Sequence, residues 1–260
     1  MFAPLNQPIE NWTAQRIWLI GASSGIGAAL AQQALAAGAA VILSARRQTQ
    51  LEIVAQRHPN AMILPFDVLD TAAWQRGYAD IIAQLGGVDL VIFCAADYRP
   101  ERSWEVDPAT AAQTLQINLG SVYTGLATIL PDLIARGSGG IGLIASVAGY
   151  MGLPNATVYG PSKAAMINLA EILYADLHPK GLNVYLINPG FVKTHLTAKN
   201  DFTMPALQTP EQAATAIWQG ISSGKFEIHF PRRFTQTLKL LQLLPYRWRF
   251  NLLSTFVKTS

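Results

Sequence analysis

The sequence predicts an α/β domain: a doubly wound parallel sheet of about seven strands with helices on both faces, followed by a helical C-terminal tail. Three observations carry this. Short apolar runs alternate with helix-length segments along most of the 260 residues, as in chains of β–α–β units. Most of the runs are almost continuously hydrophobic, the pattern of strands covered on both faces. The first run ends in a glycine-rich turn that opens an alanine-rich segment, GASSGIGAALAQQALA, so a tight strand-to-helix turn stands at the start of the fold.

Taken in order, strands are expected at 16–20, 40–44, 61–66, 88–93, 140–145, 182–187 and 226–229. Helices are expected between them, at 26–37, 71–85, 108–135 and 163–177. Parallel strands joined by helices cross over right-handedly, which gives the doubly wound arrangement. The segment 137–140 reads as a loop before the fifth strand. Residues 191–208 lack strong periodicity and follow a strand, where such sheets bind ligands, so a mobile lid is expected there. The organisation is a single domain at 1–232 with a basic extension at 233–260.

Composition narrows the function classes. Half of the residues are hydrophobic and 13% are charged, too apolar for a disordered chain. The single cysteine, Cys94, excludes an internal disulfide framework and fits a reducing compartment. The start MFAPLNQPIENW has neither the basic onset nor the apolar stretch of a secretory signal, so a cytoplasmic location is expected. The net charge of +3 is uneven: residues 1–227 hold 13 basic against 16 acidic side chains, while residues 228–260 hold six basic and no acidic ones. A uniformly basic nucleic-acid surface is absent, and nucleic acid is not an expected partner. No metal site is expected.

The glycine turn has a chemical reading. In Gly21-Ala22-Ser23-Ser24-Gly25-Ile26-Gly27 the glycines permit close backbone approach, and the following helix N-terminus offers N–H groups to a pyrophosphate. The spacing is G-x-x-x-G-x-G, different from the general G-x-G-x-x-G fingerprint. Gly21, Ser23, Ser24, Gly25, Ile26 and Gly27 are therefore candidate cofactor contacts in a Rossmann-type domain. The second strand ends at Ala45-Arg46-Arg47. An acid at that strand end grips the ribose 2′-hydroxyl of NAD(H), whereas arginine suits the 2′-phosphate of NADP(H). Arg46 and Arg47 thus favour NADP(H), with a solvated loop pair as the competing reading. Asp67 is placed either to accept from an adenine amino group or to begin the helix at Thr71.

Tyr159 and Lys163 stand four residues apart at a helix start, which puts both side chains on one face. A free tyrosine has a pKa of about 10, and a neighbouring ammonium favours its phenolate. Ser146 ends a buried strand and can donate to a substrate carbonyl oxygen. Asn118 is a polar residue in an apolar helix, either a satisfied helix-bending side chain or part of a water relay to Lys163. No G-x-S-x-G surrounds Ser146, which disfavours a serine hydrolase.

With these markers in order, GASSGIG at 21–27, Asp67-Val68, Asn118, Ser146, Tyr159/Lys163 and Asn188-Pro189-Gly190 with Thr194, the chain resembles the short-chain dehydrogenase/reductase family in its compact branch. The resemblance spans about residues 16–229. It implies a seven-stranded sheet and a catalytic tetrad of Asn118, Ser146, Tyr159 and Lys163. It also implies cofactor contacts at Val68, Ala95, Tyr159, Lys163, Pro189, Gly190, Val192 and Thr194, and homodimers or homotetramers. The implied activity is an oxidoreductase interconverting a carbonyl and a secondary alcohol. The alternatives are a cofactor-sensing regulator without turnover and a membrane-surface adaptor that uses the tail and retains the Rossmann-type fold. Two departures stand out: Ile20 precedes the first glycine where threonine is usual, and Phe93-Cys94-Ala95-Ala96 replaces Asn-Asn-Ala-Gly. A modest loss of cofactor affinity is expected, with Cys94 a small buried residue.

Substrate walls are expected from Ser146, Tyr150, Met151, Leu153, Tyr159 and Phe191, with the lid at 196–207. Their apolar character favours a lipophilic substrate, with ordinary loop packing as the competing reading. The tail interleaves leucines and aromatics with basic residues and is broken by Pro245. Two short amphipathic helices are expected rather than a membrane span. Their expected fates are peripheral membrane contact, cover for the substrate entrance, or packing on the same or a sister subunit.

Overall fold

The computed structural model describes residues 3–256; the end of the predicted tail, including Lys258, lies outside them. Seven strands form one all-parallel sheet: β1 (Arg16–Ile20), β2 (Ala40–Ser44), β3 (Ala61–Ile63), β4 (Leu90–Phe93), β5 (Gly140–Ile144), β6 (Asn183–Pro189) and β7 (Glu227–Phe230). Their order, β3-β2-β1-β4-β5-β6-β7, reverses direction between β1 and β4. That switch point is where an open α/β sheet leaves a crevice beyond its strand ends.

Nine α-helices are described: α1 (Gly25–Ala36), α2 (Gln48–Ala55), α3 (Thr71–Leu85), α4 (Pro108–Leu115), α5 (Ser121–Arg136), α6 (Tyr159–Leu177), α7 (Pro210–Ser222), α8 (Arg232–Gln242) and α9 (Tyr246–Phe256). Apolar residues of β1, β2 and β6 pack with α1, α2 and α7 on one face of the sheet. The alternate residues of the strands pack with α3, α5 and α6 on the other. Both faces are covered, which is why the strands read as continuous apolar runs.

Several boundaries differ from expectation. β3 ends at Ile63 rather than 66, although Leu64 and Phe66 still donate to Leu43 O and Ala45 O at 3.0 and 3.1 Å. Pro65 falls between them at a position of this edge strand that faces away from β2, where proline is tolerated. The helix expected at 108–135 is one run containing a π-helical turn, Gln116–Gly120. Among the described residues this run, Pro108–Arg136, is the one helix long and apolar enough to cross a bilayer. It buries Val122, Leu126, Ile129 and Leu133 in the core. Helices α2 and α7 were not among the expected elements.

The segment before β1 closes the far edge of the sheet. Buried Asn6 receives the Val184 N–H at 3.0 Å and donates to Val184 O at 2.8 Å. Trp12 stacks on Trp218 of α7 with ring centroids 3.8 Å apart.

Candidate active site

A cavity of about 620 Å³ opens at the C-terminal ends of β1, β4, β5 and β6. Every residue expected to contact the cofactor lines it: Gly21, Ser23, Ser24, Gly25, Ile26, Gly27, Arg46, Arg47, Asp67, Val68, Ala95, Tyr159, Lys163, Pro189, Gly190, Val192 and Thr194. The glycine loop is shaped by contact distances. Gly21 has φ +96°, and a Cβ there would stand 2.5 Å from Ala95 N; a Cβ on Gly27 would stand 2.3 Å from Gly21 O. Only glycine lets β1, the loop and the β4 end approach this closely. Ser24 caps α1 in extended conformation without a side-chain hydrogen bond to the helix, so the dipole end and its N–H groups face the cavity. A pyrophosphate fits this cradle.

Arg46 and Arg47 are exposed at the cavity rim, and among the described residues neither has an ion-pair partner. Asp67 also lines the cavity and does not begin a helix: its Oδ1 accepts from Leu69 N at 3.0 Å, while Asp70 caps α3 through Ala73 N. The segment Phe93-Cys94-Ala95-Ala96 runs from the last residue of β4 into the loop beyond it. Cys94 is half-buried rather than buried as expected, and it lines the cavity; desolvation pushes its thiol up to about 12, which disfavours a reactive thiolate.

Ser146, Tyr159 and Lys163 meet on the same cavity. Ser146 follows β5 and accepts from Ala148 N at 3.1 Å, which fixes its hydroxyl. Tyr159 is the first residue of α6 and Lys163 lies one turn on, with Nζ 5.5 Å from the Tyr159 ring centroid. Lys163 is 2% exposed and donates to Ile144 O at 2.8 Å; its burial lowers it to about 8. The expected lowering of Tyr159 by this ammonium is not what the structure shows. Burial dominates and pushes the phenol up to about 12, although the Ser146 hydroxyl beside it pulls the other way. Lys163 points its charge at a carbonyl instead of the phenol oxygen.

Asn118 does not line the cavity; its neighbour Ile117 does. Its side chain accepts from Asp97 N at 2.7 Å and donates to Asp97 O at 2.9 Å and Ser162 Oγ at 3.0 Å. It is the polar bolt between the loop after β4 and the start of α6. In the π turn Ser121 N–H reaches Gln116 O, which shifts the helix register around Asn118.

The substrate end corrects two expectations. Leu153 and Phe191 line the cavity, but Tyr150 and Met151 do not. Tyr150 OH turns away to Glu227 Oε1 at 3.0 Å, joining a cluster with Asn188 and Lys239, and Met151 is buried. Their places are taken by residues the sequence reading missed. Tyr98 meets Tyr159 edge-on with centroids 4.9 Å apart. Its OH donates to Asn200 Oδ1 at 2.6 Å, and Lys199 Nζ donates to Tyr98 O at 2.6 Å. The expected lid is therefore latched over the site through Tyr98. Phe202 of the lid lines the cavity and packs on Phe191 at 5.7 Å. His195 joins the other edge, with Nδ1 3.3 Å from Ser24 Oγ.

A parallel sheet with its crevice at the switch point, a glycine cradle, and a tyrosine–lysine–serine cluster define a nucleotide-dependent oxidoreductase site. The family model for short chain dehydrogenase matches residues 15–204. A Myxococcus xanthus (strain DK1622) protein named as an uncharacterized oxidoreductase is 30% identical over 229 residues, covering 86% of this chain and 90% of its own length. A short chain dehydrogenase/reductase from Burkholderia phymatum, solved in complex with NAD, is similar with a TM-score of 0.80 at 22% identity, covering 89% of this chain and 94% of its own. A short-chain dehydrogenase from Sphingobium yanoikuyae, in complex with NADPH, gives 0.77 at 20% identity over 89% and 97%. The chain belongs to the short-chain dehydrogenase/reductase family. It is an oxidoreductase acting on CH–OH or carbonyl groups with NAD(P).

Proposed function

We propose that this enzyme uses NADP(H) to interconvert a carbonyl and a secondary alcohol on a lipophilic substrate, with Tyr159 as the acid and base. The observation that carries the reading is the continuity of one cavity from the unpaired Arg46 and Arg47, across the glycine cradle, to Tyr159, Ser146 and Lys163. The nicotinamide supplies hydride transfer when bound. Arg46 and Arg47 would hold the 2′-phosphate, and the glycine loop with the α1 N-terminus would hold the pyrophosphate.

The protein side chains handle the proton. Tyr159 keeps its hydroxyl protonated through the neutral range, because burial raises it to about 12. It is therefore set to donate to a carbonyl oxygen, with Ser146 orienting that oxygen by a second hydrogen bond. Lys163, held at Ile144 O, has further N–H donors for the ribose and places positive charge near the phenolate left behind. Read in reverse, the base is the Tyr159 phenolate, the form that burial disfavours and that the nearby Lys163 charge supports; it takes the alcohol proton. Tyr98, Leu153, Phe191 and Phe202 make the substrate end apolar, which supports a lipophilic carbonyl over a sugar.

A panel of lipophilic aldehydes and ketones with NADPH tests the chemistry. Tyr159→Phe is expected to lower kcat by about 10²–10⁴-fold while changing the NADPH Kd far less; turnover that persists in the variant would refute the assignment. Arg46→Ala combined with Arg47→Ala is expected to weaken NADPH by about 10–100-fold and NADH little. Equal losses would overturn the NADP(H) preference.

A further inference from the structure

The tail is fastened at its first helix. Thr235 is buried, with Oγ1 2.6 Å from His229 Nδ1. Lys239 pairs with Glu227, and Gln242 donates to the Tyr150 carbonyl. Phe234 packs on Phe191 with centroids 5.9 Å apart, and Phe191 lines the cavity. The root of the tail therefore sits at the substrate end of the domain.

Beyond that root the large apolar side chains face outward. Leu243 is 80% exposed, Tyr246 69%, Trp248 62% and Phe250 58%. Single exposed apolar residues are ordinary, but four within eight residues is a patch of the kind that marks an interaction surface. Its charge is of one sign. Arg232, Arg233 and Arg247 are exposed, Arg249 lies over the Tyr246 ring at 4.3 Å from its centroid, and residues 228–260 hold no acid at all. The nearest preceding acid, Glu227, is already paired with Lys239.

We propose that the segment 240–250, with Arg232 and Arg233, docks on an anionic lipid surface and seats the substrate end of the cavity against it. Aromatic rings settle at headgroup depth, and arginines reach lipid phosphates and carboxylates. The tail lies on the bilayer and does not cross it. Each of its two helices has 11 residues, about 16 Å long, against a hydrocarbon core of about 30 Å. A second copy of the tail fits this surface less well, because a two-fold contact would set arginine against arginine.

Co-sedimentation of the full chain with phosphatidylcholine vesicles, with and without phosphatidylserine, tests the proposal. The chain is expected to pellet with the anionic vesicles, to stay in solution with phosphatidylcholine alone, and to be released by high salt. Arg233→Gln with Arg247→Gln is expected to lower partitioning on the order of 30-fold, at about five-fold per arginine. Trp248→Ser with Phe250→Ser is expected to lower it to a similar degree while leaving the melting temperature and sedimentation coefficient unchanged. Failure to pellet with phosphatidylserine vesicles, or equal pelleting with phosphatidylcholine alone, overturns the proposal. So does a parent dimer that dissociates on Trp248→Ser with Phe250→Ser and binds no vesicles, which would assign the surface to a second copy. Vesicle binding does not require turnover, so this outcome is independent of the proposed redox chemistry.

Discussion

His195 joins the two rims of the cofactor groove through Ser24, at 3.3 Å. Burial lowers its imidazole below the usual range, and the positive charges of Lys199 and Arg47 push it further the same way. An anion placed beside it reverses that pressure, since a nearby negative charge favours the protonated ring. Proton uptake on binding then means that affinity rises as pH falls through the imidazole range. Titration calorimetry with NADH and NADPH is expected to show tightening of a few-fold between about pH 8 and 6 relative to His195→Asn, which lacks the titration. NADH isolates the imidazole from the titration of the cofactor's own 2′-phosphate. Identical pH profiles for wild type and variant would remove His195 from the groove's chemistry. At this scale the sequence was informative where the backbone dictates geometry. Tyr159 and Lys163 share a helix face by spacing, and Gly21 and Gly27 sit where a Cβ would collide with Ala95 and Gly21 itself. It was uninformative about Tyr98, which reaches Tyr159 only because the loop after β4 folds back over the site. It misplaced Tyr150, whose hydroxyl finds Glu227, 77 residues away in sequence; a side chain's direction out of a short turn depends on such distant partners.

Among the elements, the π turn at Gln116–Gly120 is the one whose irregularity has a visible use, since Asn118 sits within it and bolts Asp97 to Ser162. Asn118→Ala leaves the Asp97 amide without its acceptor, at a cost of about 1–3 kcal/mol. It also loosens the loop that carries Tyr98 relative to the helix that begins at Tyr159. The expected result is a lower urea midpoint and a kcat that falls more than KM rises. A variant as stable and as active as wild type would show that the bolt is dispensable. The helical periodicity of the run was legible, but the inserted π residue was not, because one extra residue leaves an apolar helix pattern nearly intact. Helix α7 did carry a signal: Thr209-Pro210-Glu211-Gln212 is a capping-box sequence with proline at the first helical position, and both reciprocal hydrogen bonds form. Helix α2 has eight residues and no side-chain cap, so little in its sequence distinguishes it from a loop.

The whole molecule divides its tasks between the two ends of the sheet. The cavity occupies the C-terminal ends of the strands, and an ion-pair cluster gathers the N-terminal ends. Asp89 accepts from Arg16 N and Nε at 2.9 and 2.8 Å through one oxygen, and from Arg16 Nη2 at 2.6 Å through the other. Arg136 at the end of α5 adds a longer contact at 3.4 Å, and Arg16 also donates to Leu85 O at the end of α3. The backbone of Asp89 bonds to Arg16 O and Gly140 N, so β1, β4, β5 and two helix ends meet at one carboxylate. Burial alone would raise Asp89, but the hydrogen bonds from Arg16, then the charges of Arg16 and Arg136, outweigh it and hold the carboxyl below the ordinary aspartate value. A folded pKa below the unfolded one gives stability that is present in full above the unfolded value and lost as pH falls through the folded one. Asp89→Asn keeps the shape and removes the charge. It is expected to cost about 1–3 kcal/mol at neutral pH, and the gap to wild type should close as pH drops below about 4. Urea unfolding followed across that range checks it: a gap that stays constant into acid would mean that the cluster stabilises by packing rather than by charge. Because the cluster lies at the opposite end of the sheet from Tyr159, the same variant should retain the wild-type kcat at temperatures where it remains folded.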